Sequence, residues 1–464
     1  MPENTEKQQH IICPFCCHRF HPNQAHFRLA GSERVLDEKL LNYYQNILQL
    51  ESVDAKTNAK QHKTATLEDK GVSYREEDID QYGFALQITV DKGSATETSD
   101  KRLCPNCHND LPIGYGMRET LLISILGDAR SGKSVFLTML ITELENNNDF
   151  ASKLTFIGDK EAGDNFYNTY QKPLLKEQTL ISSTKRKKVP PYAFNYWYQY
   201  RNEQGEVQEN TVDIIFYDIA GEDLRDDAGI RSNGFNIKDS SGLIFLIDPT
   251  SFGKLSDIFQ FSDLALIDAI PEENSNQAIF NTLYNYFIGL ARDKSDIPLA
   301  LAISKSDLFR YINLGFFNDK PESRIQNILP DEKHKGALDM SSLRGLNEEV
   351  RELISYLDED IILNNAIGCF KNVSCFALSS LGKKPMVEQI SDPVTNEAIE
   401  KGFVDGPLMP FRVKDPFYWI LMRHGLLLKH EYGRYYGNNS PPPVDNPGVV
   451  QKITGIFARL FKGK

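Results

Sequence analysis

Between the apolar run TLLISIL (120–126) and the helical pattern VFLTMLITEL lies Gly127-Asp128-Ala129-Arg130-Ser131-Gly132-Lys133-Ser134. Few patterns restrict a fold more. A run that is apolar at nearly every position suits a strand buried on both faces, as in a parallel sheet covered by helices. Glycines near both ends of the loop let its backbone N–H groups and the following helix N-terminus close on an anion. Lys133 then reaches the outer phosphates, Ser134 ligates Mg²⁺, and Val135 completes the binding segment.

The same texture continues downstream. YAFNYWYQY (192–200), VDIIFYDIAG (212–221), SGLIFLIDP (241–249), IPLALAIS (297–304) and VSCFALSS (373–380) read as further strands separated by helical patterns. The expected fold over 118–430 is a doubly wound, mostly parallel six-stranded α/β sheet with insertions. Ligand then binds at the carboxyl ends of the strands.

Three later motifs fall at such ends. Asp218-Ile-Ala-Gly221 follows VDIIFY; its carboxylate suits Mg²⁺ held through water, and the Gly221 N–H suits a γ-phosphate sensor. Ser304-Lys305-Ser306-Asp307 follows IPLALAI and resembles the guanine-reading element of GTPases. There an Asp carboxylate pairs with the N1–H and amine of guanine, donors that adenine lacks in that arrangement. Ser304 stands where Asn or Thr is usual. Ser379-Ser380-Leu381-Gly382 resembles the element whose backbone N–H meets the guanine carbonyl, with Ser380 in place of Ala.

In this order the motifs resemble the Ras-like and translation-factor class of P-loop GTPases, with longer spacings that imply insertions. The resemblance also implies a switch Thr ahead of the second strand; Thr184 is the first candidate and Thr179 the second. Glu222 stands where many relatives carry a water-positioning Gln, and Ala129 where Gly is common in efficient hydrolases. A Glu accepts a proton from water but cannot donate as an amide does, so slow turnover is expected, with Lys133, Thr184 and Glu222 as the catalytic set. Arg130 is placed to pair with phosphate or with Asp128. A partner protein or Arg225 is the source of any further positive charge, although Arg225 reads first as a solvated loop residue.

Cys13-Pro-Phe-Cys16 and Cys104-Pro-Asn-Cys107 look like the two knuckles of a zinc ribbon. Two such turns make a closed Cys₄ site, which is structural. Cys17, His18 and His108 read as bystanders. The long interval between the knuckles holds an expected helix, ERVLDEKLLNYYQNILQ, and a polar stretch expected to be loop or partly disordered. A ribbon feeding such a domain resembles bacterial double-GTPase proteins, through CPFC…FR, CPNCHNDLP, D-I-A-G-E, and SSLG ahead of PFYWILMRHGLL. That resemblance implies a regulatory role in a multi-protein conflict or defence system.

The net charge of −12 argues against a general nucleic-acid binder, which needs a broad basic face. There is no apolar run long enough to span a bilayer and no secretory signal, and seven cysteines make an odd disulfide framework, so the expected compartment is the cytoplasm. The expected divisions are a ribbon with its insertion (1–117), the GTPase domain (118–430), a Pro-rich linker (431–448) and a basic amphipathic helix (449–464). Ile453, Ile456, Phe457, Leu460 and Phe461 fall on one face of that helix, with Lys452, Arg459, Lys462 and Lys464 as its charges. It suits an anionic membrane surface at the inner face of the membrane, an acidic partner groove, or its own domain. Expected ligands are GTP or GDP with Mg²⁺, and a structural Zn²⁺; expected protein partners are effectors or activators.

Overall fold

In the computed structural model, residues 10–430 are described apart from 32, 48–49, 80–84, 94, 113–114, 117, 129–130, 147–150, 158–159, 182–190, 202–205, 220, 226–234, 256–274, 291–292, 311–337, 392–397 and 428. The run before the phosphate loop is strand β1 (Thr120–Gly127), buried at every position. It lies at the centre of a sheet with β2 (Ser152–Ile157), β3 (Tyr192–Arg201), β4 (Val207–Asp218), β5 (Gly242–Ile247), β6 (Leu299–Ile303) and β7 (Val373–Ala377). The order is β2-β3-β4-β1-β5-β6-β7.

From β4 to β7 neighbouring strands run parallel; β3 is antiparallel to β4, and β2 to β3. All six expected strands are present, and β2 adds a seventh at one edge. Its SKLTFI sequence buries only Leu154 well, so it lacks the apolar run that betrays the central strands. The chain builds outward from β1 in both directions, toward β4 on one side and β5 on the other. The carboxyl end of β1 is thus a topological switch point, where such sheets bind ligands.

Helices α1 (Lys133–Glu145), α2 (Ser275–Leu290), α3 (Met340–Tyr356), α4 (Asp360–Cys369) and α5 (Asp415–Arg423) accompany the sheet. Helix α3 starts at Asp339, whose carboxylate accepts from the N–H groups of Ser341 and Ser342 at 3.0 and 3.2 Å, an N-cap. Helix α5 lies close on the sheet. A Cβ on Gly242 would sit 2.7 Å from Ile420, and the Phe417 ring meets Tyr196 and Phe216 with centroids 5.6 and 6.0 Å away.

Adjacent residues of a strand point to opposite faces. While Phe216 faces α5, its neighbour Ile215 joins Leu122 and Ala193 in an apolar cluster with Ile11, Cys13, Cys16, Phe20 and Tyr115. The cysteine region therefore shares a core with the sheet. Gly116 permits this contact: its φ is +81°, and a Cβ there would lie 2.4 Å from Ile11.

The interval between the cysteine pairs departs from expectation. Within the expected helix, α-helical turns cover only Glu38–Asn42 and continue as a π turn over Tyr43–Ile47, because Asp37 caps the segment by accepting from Leu40 N–H at 3.2 Å; a second short helix follows at Ser52–Asn58. Arg34–Leu36 ahead of the cap is a strand paired with Lys60–His62. The polar stretch expected to be loop forms short strands, Val72–Ser73, Ile88–Asp91 and Thr96–Ser99. They close over a small cluster of Phe27, Leu29, Ala65, Ala85 and Ile88.

A hairpin of Met386–Ser391 and Ala398–Phe403 leaves the sheet after β7. Its base returns to the chain ahead of β3, where Leu180 N–H donates to Gly402 O and Val404 N–H to Gln178 O, both at 2.8 Å. Residues 431–464, with the Pro-rich linker and the basic terminal segment, lie outside the described residues. Among the described residues no helix is long and apolar enough to cross a membrane.

Candidate nucleotide-binding site

The loop after β1 bends where only glycine fits. Gly127 has φ +145°, and a Cβ there would lie 2.5 Å from Leu246 O and 2.7 Å from Ser131 Oγ. Gly132, at φ +85°, then turns the chain into α1. The Lys133 ammonium arches back, donating to Gly127 O at 2.9 Å and Asp128 O at 2.8 Å. The Ser131 N–H donates to Asp128 O at 3.2 Å. Ser131 Oγ is buried with no hydrogen-bond partner among the described residues, an orphan that suits a polar ligand in the loop. Val135 is half-buried in the first turn of α1, and Ala129 and Arg130 lie outside the described residues. The Asp128 carboxylate, for which Arg130 was a candidate partner, accepts from Arg225 Nη2 at 3.0 Å.

Ser134, in the first turn of α1, meets Asp218 at the end of β4. Ser134 Oγ donates to Asp218 Oδ2 at 2.9 Å, while Asp218 Oδ1 is buried without a hydrogen-bond partner among the described residues. Burial pushes the Asp218 carboxyl up from its ordinary range, and the nearby Lys133 ammonium opposes that rise. Two hard oxygens beside each other, one unsatisfied, fit a small oxygen-liganded cation such as Mg²⁺. Gly221 is buried and opens a 3₁₀ turn, Gly221–Leu224. The Glu222 side chain and Thr184 lie outside what is described. Thr179, the second switch candidate, is buried, and its N–H and hydroxyl donate to Pro173 O at 2.9 and 3.4 Å.

Beyond β6 the guanine-reading candidates converge. Asp307 is buried, and its Oδ1 accepts from Ser379 Oγ at 2.5 Å; that same Oγ accepts from Gly382 N–H at 2.8 Å. Burial pushes the Asp307 carboxyl up. Ser304 turns inward, its hydroxyl donating to Ile247 O at 3.0 Å, so it ties β6 to β5. Lys305 takes φ +50° and places its Nζ 2.6 Å from Asp248 Oδ2. Ser380 and Leu381 are half-buried in the adjoining turn. Gly382 is required there: at φ +73°, any Cβ would overlap Met409 O.

Sequence reading missed Asp248. It ends the apolar run of β5, and its other oxygen accepts from Thr250 N–H at 3.0 Å and Thr250 Oγ1 at 2.8 Å. A buried acid closing a core strand was the available signal.

Cys13 and Cys16 gather with Cys104 and Cys107, which lie just ahead of β1. Cys13 Sγ lies 3.7 Å from Cys107 Sγ, and Cys16 Sγ 3.7 Å from Cys104 Sγ. Zn–S bonds of about 2.3 Å in a tetrahedron put sulfurs about 3.8 Å apart, so these spacings fit a closed Cys₄ metal site. The two knuckles are alike. Phe15 and Asn106 N–H point at Cys13 and Cys104 sulfurs, each at 3.4 Å, and Cys17 and His108 each take positive φ. His108, read as a bystander, faces away into a polar network, with Nδ1 2.9 Å from Asp37 and Nε2 2.8 Å from His26.

Residues 121–350 match the family model described as Double-GTPase 2. A curated relative is 22% identical over 440 residues, spanning 89% of this chain and 99% of its own. It is SaeC of Mycolicibacterium smegmatis, assigned provisionally to ESX-1 scaffolding and assembly. Among solved structures, the signal recognition particle receptor SRb-GTP/SRX complex of Chaetomium thermophilum is 14% identical, covering 57% of this chain and 93% of that one, with TM-score 0.26. The GTP-bound Ski7 GTPase-like domain of S. cerevisiae is 13% identical, covering 67% and 51%, with TM-score 0.28. By the folded order of its motifs the chain is a P-loop protein of GTPase fold, and its residues 121–350 are similar to the Double-GTPase 2 family.

Proposed function

We propose that this chain binds GTP with Mg²⁺ on the loop Gly127–Ser134 and hydrolyses it slowly, as a molecular switch. One observation carries the guanine assignment: the Asp307 carboxylate is held by Ser379 Oγ at 2.5 Å, across the carboxyl ends of β6 and β7. An acid fixed at that place is suited to the paired donors of guanine. Gly127, Asp128, Ala129, Arg130, Ser131, Gly132, Lys133 and Val135 would cradle the phosphates. Ser134 and Asp218 would hold Mg²⁺, which neutralises phosphate charge when bound. Ser304, Lys305, Ser380 and Leu381 would frame the base. Thr184 and Gly221 would order around the γ-phosphate, and Glu222 with Lys133 would act on hydrolysis. Nucleotide extracted from the purified chain should be GDP or GTP; recovery of ATP or ADP instead would overturn the assignment.

We assign Zn²⁺ to Cys13, Cys16, Cys104 and Cys107, as a structural ion. The setting of the switch is a bacterial multi-protein system, whether of the conflict type or of the assembly type to which the relative is assigned. Protein effectors read its state, and residues 449–464 supply peripheral contact with a membrane or partner.

A second reading is a GTPase-fold scaffold that holds nucleotide without turnover. The relative's assignment to scaffolding favours it, as do Glu222 and Ala129. Single-turnover hydrolysis, with and without cell extract, separates the two: a bound GTP that stays intact in both selects the scaffold.

A further inference from the structure

The phosphate loop contains a charge that is unhelpful to an anion. Asp128 sits in it with only 2% of its surface exposed, and its backbone carbonyl is one of the two that hold Lys133. An uncompensated buried carboxylate there would repel phosphate and cost folding energy as well. Arg225 answers it, its Nη2 3.0 Å from Asp128 Oδ1. Arg225 directly follows the 3₁₀ turn Gly221–Leu224, and its carbonyl accepts from Thr282 Oγ1 of α2 at 3.5 Å. The loop that follows β4 is therefore fastened to the phosphate loop by an ion pair.

We propose that Arg225 is a positioning residue that acts through Asp128: it cancels the Asp128 charge inside the phosphate loop and makes that loop competent to hold polyphosphate. This rests on the nucleotide reading above. Arg225 is 36% exposed, so solvent screens part of the pair, but Asp128 is not screened on its buried side. The effect must grow with ligand charge, so GTP feels it more than GDP.

The test is a double-mutant cycle on the full chain, with Arg225→Ala, Asp128→Asn and both together, read by binding of GDP, GTP and pyrophosphate. Arg225→Ala should weaken GDP by about 10-fold and GTP by about 50-fold, since it strands a charge rather than removing a pair. Adding Asp128→Asn should return both affinities to within about 3-fold of wild type, because the stranded charge is gone. Arg225→Lys, which keeps the charge, should retain most of the binding. If Arg225→Ala and the double variant are equally impaired, Arg225 meets the nucleotide directly and the proposal is overturned. An Arg225→Ala variant that binds like wild type overturns it too. Pyrophosphate needs only the loop, so the cycle still decides if guanine selectivity fails; that failure would count against the nucleotide reading alone.

Discussion

Ser379 Oγ donates to Asp307 Oδ1 at 2.5 Å, joining the turn after β7 to the turn after β6. The Gly382 N–H at 2.8 Å in turn fixes that hydroxyl. Ser379→Ala removes a donor from a buried carboxylate and frees its rotamer. Guanine-nucleotide affinity should fall by about 10-fold, as expected for a hydrogen bond to a charged group of roughly 1.5 kcal/mol. Titration with a fluorescent GDP analogue checks it.

Replacing Asp307 by Asn should reverse the donor pattern at the base and favour xanthine over guanine nucleotides. Competition between GDP and XDP for the purified variant measures this. An unchanged preference would remove Asp307 from base reading.

The same substitution carries a pH signature in the nucleotide-free chain. Burial raises the Asp307 carboxyl above its unfolded value, so the folded state favours the protonated form. Asp307 thus contributes stability below its unfolded pKa, and that contribution is lost as pH rises through the folded value. Asp307→Asn escapes the loss. Its melting temperature relative to wild type should climb from acid toward neutral pH, and calorimetry across that range should show the two curves diverging.

Gly127→Ala should be severe. Its Cβ would meet Leu246 O at 2.5 Å, on a backbone with φ +145°. With β1 and β5 paired through that very register, the sheet cannot yield cheaply. A loss of about 3 kcal/mol or more is expected from strain and close contact combined, measurable by urea unfolding.

Cys16→Ser should lower bound zinc well below one ion per chain. It should also lower the melting temperature of the nucleotide domain, because the cysteines share a cluster with Leu122, Ala193 and Ile215. Zinc analysis by mass spectrometry and a thermal melt with GDP present give the two readouts. Zinc loss with an unchanged melt would mean that the shared core does not depend on the metal.

How much of this could be read from the chain alone follows from range. The central strands were legible because burial on both faces leaves an unbroken apolar run, as in TLLISIL. Strand β2, at an edge, carries no such run, and only its pairing with β3 defines it. The phosphate loop and the cysteine knuckles are local turns whose geometry is written in adjacent residues. Asp248 with Lys305, and Asp128 with Arg225, are partners brought together by the sheet; each residue by itself is an ordinary acid or base. The helix expected at 33–49 was misplaced because its apolar spacing begins before its cap, and Asp37 decides where it starts.

The cysteine cluster has a consequence for synthesis. Its second pair, Cys104 and Cys107, leaves the ribosome just before β1, while Ala193 and Ile215 follow much later. A chain made from its N-terminus can bring the four cysteines together before the central sheet exists. The second face of the sheet is then laid against a surface already in place, so the cysteine unit precedes the nucleotide fold in the order of synthesis.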